Sequence, residues 1–273
     1  MKKVLTLLIL ALLFAGCSAP ADGSNDSNTK ETLKVGMECN YAPFNWTQVE
    51  DSDTAEPISS VDYCDGYDVV MAARIAKELD MDVQIVKTDW DNLIPALNAN
   101  DIDLIIAGMT ATPDRAEAVN FTEPYYESQM VVVVRADSEL TNITNIQELS
   151  GYNVLGQLNT LYDEIIDQIE GVNHMTPQES YPRMVLSLQQ GEADAITAEI
   201  PVAQGVVAAN PDLAIVAFEA DNGFVADTSV SIAARKSDTE LLEKVQAVLD
   251  GISQDERNTM MQDATNRQPA NEE

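Results

Sequence analysis

The chain has 273 residues, 45% of them hydrophobic, and sets 46 acidic against 15 basic side chains for a formal net charge of −31. That is length enough for one large domain or for two of about 100 residues each. So acidic a surface argues against nucleic acid and anionic lipid as partners and mildly favours cationic ones.

The chain begins "MKKVLTLLILALLFAGC": Lys2 and Lys3, an apolar run over 4–14, then Ala15, Gly16 and Cys17. The run is too short to span a bilayer comfortably, so residues 1–16 read as a signal peptide. The small residues before Cys17 resemble a bacterial lipobox, with Phe14 where Leu is commoner. That resemblance implies cleavage before Cys17, diacylation of its thiol, and an extracytoplasmic protein held by lipid to the bacterial cell membrane. The alternative is an ordinary secretory signal with an incidental Cys. Residues 17–31 are small, polar and without periodicity, as in a flexible tether.

Export changes the cysteine arithmetic. With Cys17 lipidated, two of the three Cys remain, Cys39 and Cys64. In an oxidising compartment they point to a disulfide at the base of a polar loop over 45–65. The alternative is a pair of reduced, buried thiols. His174 is the only histidine, and two Cys with one distant His do not make a zinc site. No metal or other cofactor is expected.

Folded sequence starts with a short strand, "LKVGM", over 33–37. After the polar loop, 67–79 reads as a helix in which Val69, Ala72, Ala76 and Leu79 form one apolar stripe. "DVQIVKT" is a strand and "DNLIPALNAN" a short helix with Leu93, Ile94 and Leu97 inward. "DLIIAGM" is a continuous apolar run, typical of a strand covered on both faces. A second set opens with the strand "MVVVVRA". Strand "YNVLGQL" and helix "DEIIDQI" follow. Helix "SYPRMVLSLQQG" is ended by Gly191. Strand "ADAITA" leads to helix "IPVAQGVVAAN", stopped by Asn210 and Pro211. Strands "LAIVAF" and "SVSIAARK" precede an amphipathic final helix, "TELLEKVQAVLDGI"; the polar tail from Ala264 reads as frayed. Alternation of this kind argues for parallel β-α units and two α/β lobes, the second starting near Val131.

The stretch "GMTATPDRAEAVNF", 108–121, carries a chemical oddity. Thr112 is a good N-cap and Pro113 suits the first helical position. Arg115 then falls in the first turn, where the helix already carries partial positive charge and prefers anions. Its counter-charge is either a local acid, Asp114 or Glu117, or a guest molecule.

Five segments in order, "LKVGMECNYAPFNW", "GYDVVMAARIAKEL", "DWDNLIPALNANDIDLIIAGMTATPDRAEAVNFTEPYY", "GQLNTLYDE" and "GEADAITAEIPVA", resemble the polar amino-acid solute-binding proteins of ABC importers (extracellular solute-binding proteins, family 3). The resemblance spans nearly the whole chain after the tether. It implies an α/β, two-lobed periplasmic-binding-protein (Venus flytrap) fold with two hinge strands. The first lobe would comprise 32–128 plus 230–273 and the second 129–229. It also implies a monomer that holds an L-amino acid between the lobes and delivers it to ABC permease subunits, without catalysis.

By the same resemblance the ligand carboxylate goes to Arg115, in the bidentate geometry a guanidinium favours. Gly108 and Thr110 match positions that bind the α-amino and α-carboxylate groups. Thr160 and the N–H of Leu161 would close on the carboxylate from the second lobe, with Asn159 standing where the family usually has Gly. Glu199 matches an acid, commonly Asp, that takes the α-ammonium. Tyr41 and Trp90 match positions around the ligand side chain, and Glu38 a commonly acidic position near its far end. These three and the acidic surface tilt the choice toward lysine or arginine. Two other functions fit the fold: an exported cyclohexadienyl/prephenate-type dehydratase with Glu199 as general acid, and a sensory protein that touches a receptor. A hydroxyl-imidazole hydrolase is poorly supported, because His174 lies in no recognisable motif.

Overall fold

The structure is a computed structural model that describes residues 30–219 and 221–269. The signal peptide, Cys17 and most of the tether lie outside the described residues. Two five-stranded sheets organise the chain. The first runs Asp82–Lys87, Thr32–Met37, Leu104–Ile105, Ala233–Arg235, Val119–Phe121 in spatial order. Its first three strands are parallel, and Ala233–Arg235 lies antiparallel between its neighbours. The second runs Asn173–His174, Asn153–Leu155, Ala195–Glu199, Met130–Arg135, Leu213–Val216. It repeats the plan: three parallel strands, then Met130–Arg135 antiparallel to both of its neighbours. Ala233–Arg235 returns to the first sheet only after the whole second sheet has formed.

The expected buried runs are buried. Val131, Val132, Val133 and Val134 are all 0% exposed, as a strand packed on both faces requires. Each such side chain contributes ~1.5–3 kcal/mol relative to leaving it in water. The helix Tyr67–Glu78 buries Val69, Ala72 and Ala76 as its stripe predicts, and Leu79 caps it. It follows Gly66 at φ 136°, where a Cβ would overlap the Phe44 carbonyl oxygen. Two connections join the sheets and run side by side: Tyr125 N donates to Val230 O at 2.9 Å, Val230 N to Tyr126 O at 2.9 Å, and Thr122 N to Ile232 O at 3.0 Å.

Two expectations are corrected. The polar loop 45–65 is a small antiparallel sheet, ordered Asn40–Tyr41, Asn45–Gln48, Tyr63–Asp65, Glu56–Pro57. Trp46 and Cys64 are buried within it, and Cys39 and Cys64 form a disulfide with Cα atoms 5.7 Å apart. Nor does the chain fray from Ala264: a helix, Gln254–Arg267, follows the expected final one, Thr239–Asp250. Ser253 caps it by accepting from Glu256 N at 3.2 Å, and Ala264 is fully buried. This helix packs on both Tyr67–Glu78 and Ile200–Ala209. Arg267 at its end pairs with the buried Asp65 at 3.1 Å. Among the described residues no helix is long and apolar enough to cross a membrane.

Candidate functional site

In both sheets the parallel strands deliver chain to the same place, the edge beyond their C-terminal ends, where open α/β sheets present ligand sites. From the first sheet come Glu38 just after Thr32–Met37, Tyr41, Trp90 opening the turn Trp90–Asn92, and Gly108 and Thr110 beyond Leu104–Ile105. From the second come Gln157 and Thr160 beyond Asn153–Leu155, and Glu199 ending its strand. These edges face each other across a cavity with about 380 Å3 of empty space, part of it open to solvent. All nine residues singled out from the sequence line it: Glu38, Tyr41, Trp90, Gly108, Thr110, Arg115, Thr160, Leu161 and Glu199. Gln157 and Tyr162 line it too and were not anticipated. Tyr162 lies inside the quoted stretch "GQLNTLYDE", two residues after the Thr160 that caps its helix.

The helix Pro113–Ala118 forms as expected, with Thr112 Oγ1 accepting from Arg115 N at 3.4 Å. Neither Asp114 nor Glu117 takes the guanidinium; among the described residues Arg115 makes no ion pair. Instead Nη1 donates to Thr110 O at 2.9 Å and Nη2 reaches across the cleft to Asn159 O at 3.0 Å. The group lies over the Trp90 ring, 5.1 Å from its centroid. Burial lowers its pKa, opposed by the charge of Glu164. Asn159 stands at φ 58°, the left-handed geometry that Asn tolerates. It is pinned from the first lobe by Asp91, which accepts from its Nδ2 at 2.8 Å, and by Trp90 Nε1, which donates to its carbonyl at 3.2 Å.

The rest of the cavity lining is acidic and aromatic. Glu199 Oε1 accepts from the Tyr162 hydroxyl at 3.1 Å, and that hydroxyl is hydrogen-bonded across the cleft to Tyr41. Oε2 is buried and has no hydrogen-bond partner among the described residues. Burial raises the Glu199 pKa to about 8, against the Tyr162 hydrogen bond and with help from the charge of Asp68. Glu38 is raised to about 7, again by burial first, with the Gln157 hydrogen bond opposing and Asp89 and Asp91 adding. Gly108 stands at φ 61°, a conformation that side chains disfavour, and a Cβ there would press on Tyr41 Cε1 at 3.0 Å. Behind it, Gly108 N donates to the Tyr125 hydroxyl at 3.0 Å, which donates to the buried Asp68 at 2.6 Å. Thr160 spends its hydroxyl on Gln157 O at 2.8 Å and on capping Tyr162 N at 3.2 Å. Among the described residues no group of three or more His, Cys, Asp or Glu is placed to hold a metal ion.

Two α/β lobes facing each other over a cavity that holds both a guanidinium and buried carboxylates define a two-lobed binding protein. The family is explicit in the comparisons. The chain belongs to the bacterial extracellular solute-binding proteins, family 3, whose family model matches residues 33–264. It is 33% identical to a probable histidine-binding protein of Campylobacter jejuni, over 82% of this chain and 84% of that one. It is 29% identical to the putative ABC transporter arginine-binding protein 2 of Escherichia coli, over 93% and 95% of the two chains. Among solved structures, a mutant of arginine-bound ArgBP from T. maritima matches with TM-score 0.69 and 32% identity, covering 81% of this chain and 96% of that one. The AbpA substrate-binding protein of Streptococcus pneumoniae, bound to L-arginine, matches with TM-score 0.75 and 25% identity, covering 86% and 94%.

Proposed function

We propose that this protein captures a basic L-amino acid, arginine or lysine, in the cleft between its lobes and hands it to an ABC permease, without chemical turnover. The observation that carries the reading is the charge inventory of the cavity. It holds one cation free of any ion pair among the described residues, Arg115, and two buried carboxylates, Glu199 and Glu38. A basic amino acid is the mirror image: one carboxylate and two cations. Arg115 takes the carboxylate, Glu199 the α-ammonium, and Glu38 the cationic end of the side chain, whose stem lies against Tyr41 and Trp90. Thr110, Gly108, Thr160 and the N–H of Leu161 complete the polar frame. Relatives named for arginine support the cationic choice, and one named for an ABC transporter supports the permease.

The lobes in this reading are 32–128 with 230–273 and 129–229, hinged at the paired connections. Cys17 carries the lipid that holds the protein to the bacterial cell membrane, in the periplasm or at the outer face. The test is a thermal-shift screen of the mature protein against all L-amino acids. Arginine and lysine are expected to raise the melting temperature most, because only the folded cleft binds them. A screen in which no amino acid shifts it, while prephenate-like acids do and are consumed, replaces this function with the dehydratase.

A further inference from the structure

Glu199 is only 4% exposed, and its hydrogen bonding is one-sided. The Tyr162 hydroxyl donates to Oε1, so the single proton on Tyr41 must serve the Tyr41–Tyr162 bond. Oε2 has no hydrogen-bond partner among the described residues. The titratable groups around it are four of the chain's eight tyrosines and one acid. Tyr41 comes from the strand Asn40–Tyr41 and Tyr162 from the helix Leu161–Glu164. Tyr181 comes from the helix Tyr181–Gln189 and Tyr126 from the connection between the sheets. The acid, Asp68 of the helix Tyr67–Glu78, repels a negative charge. Arg115 and Glu38 line the same cavity, and Arg115 is held by the carbonyls of Thr110 and Asn159. A carboxylate so placed has one hydrogen bond, from Tyr162, and no paired cation among the described residues, which is unfavourable for a buried charge; the neutral acid does not carry that cost.

Resting on the reading that the cleft takes a basic amino acid, we propose that a proton and the ligand's ammonium group compete for Glu199. The empty, closed cleft holds the proton. Arrival of the ligand breaks the carboxyl O–H bond, the proton passes to solvent, and the freed carboxylate accepts N–H hydrogen bonds from the ammonium. Nothing else is consumed or produced. The raised pKa of Glu199, about 8, agrees with this, and Glu38 at about 7 contributes a smaller second share.

Calorimetric titration of the wild-type protein with L-arginine at pH 7, in phosphate and in Tris, counts the protons released. Glu199 accounts for about 0.9 proton per ligand and Glu38 for up to about 0.5. From pH 8 to pH 6 the affinity for arginine falls about 50-fold on the account of Glu199 alone. Binding that releases fewer than about 0.2 protons, with a Kd flat across that range, overturns the proposal and leaves the ligand reading standing. If no basic amino acid binds, the ligand reading falls instead, and the ligand-free protein still reports on the proton. The folded pKa of Glu199 is raised above the unfolded value of about 4.3. Its contribution to stability therefore declines as pH rises from about 4.3 to about 8, then levels. Glu199→Gln lacks that decline. Equal slopes for wild type and variant in denaturant titrations would overturn the proposal.

Discussion

Replacing Arg115 by Ala separates ligand capture from folding. On the proposed function, the loaded cleft holds a forked guanidinium–carboxylate contact of two charge-assisted hydrogen bonds, each worth ~1.5–3 kcal/mol. Their loss, ~3–6 kcal/mol, raises Kd by about two to four orders of magnitude. The ligand-free fold loses far less. Only the bonds to the Thr110 and Asn159 carbonyls and the Trp90 stacking disappear. Each of those bonds contributes ~1 kcal/mol net. Removal of a cation from the first turn of a helix returns ~0.3–1 kcal/mol. A net change of ~2 kcal/mol lowers the melting temperature by about 4–8 °C in a chain of this size. Calorimetry gives the first quantity and thermal unfolding of the ligand-free variant the second. Arg115→Lys, which keeps the charge and loses the fork, falls between wild type and Ala. A Kd for Arg115→Ala within threefold of wild type refutes the reasoning and takes Arg115 out of the site.

Three further outcomes follow from particular contacts. Cys39 and Cys64 close a loop with a sequence separation of 25, so replacing both with Ser lowers stability by ~3–4 kcal/mol on the chain-entropy account. Urea unfolding that changes by under ~1 kcal/mol would contradict that account. Tyr162→Phe removes the hydroxyl that joins Glu199 to Tyr41 and destabilises the empty protein by ~1–3 kcal/mol; unchanged denaturant midpoints would show that the hydroxyl does not hold the cleft shut. His174 bonds Asp167 through Nδ1 at 2.9 Å and Asp163 through Nε2 at 2.8 Å. Burial lowers its pKa, but the two aspartates outweigh that and raise it. The stabilisation is therefore complete below its unfolded pKa near 6.5 and is lost as pH rises through the higher folded value. The ring signals of the one histidine should titrate above 6.5 by NMR; a midpoint below that contradicts the arrangement.

The sequence exposed the lining of the candidate site more clearly than the fold around it. Arg115 was conspicuous because a cation in a first helical turn breaks a local rule, and rule-breaking residues are where function concentrates. Thr112 and Pro113 fixed the helix start that made the breach visible. The sheet within 40–65 was hidden because its strands are two to four residues long, too short for alternation to register. The helix Gln254–Arg267 was hidden for another reason. It is polar almost throughout and buries only Met261 and Ala264, so no apolar stripe marks it. Its start was nevertheless written in Ser253 and Glu256, which have the spacing of a capping box. Tyr162 and Gln157 were missed because their role depends on closure. Tyr162 meets Tyr41 across 121 positions of sequence, and Gln157 meets Glu38 from the other lobe, distances that no local pattern reports.

The central claim is that Arg115 and Glu199 hold the two charged ends of one amino acid. Calorimetry of the wild-type protein with L-arginine, with agmatine, which lacks the carboxylate, and with Nα-acetylarginine, which lacks the ammonium, tests it without altering the protein. L-arginine should bind near micromolar, about −8 kcal/mol, and each truncated compound at least about 100-fold more weakly. Agmatine or the acetylated compound binding as tightly as L-arginine would contradict the claim.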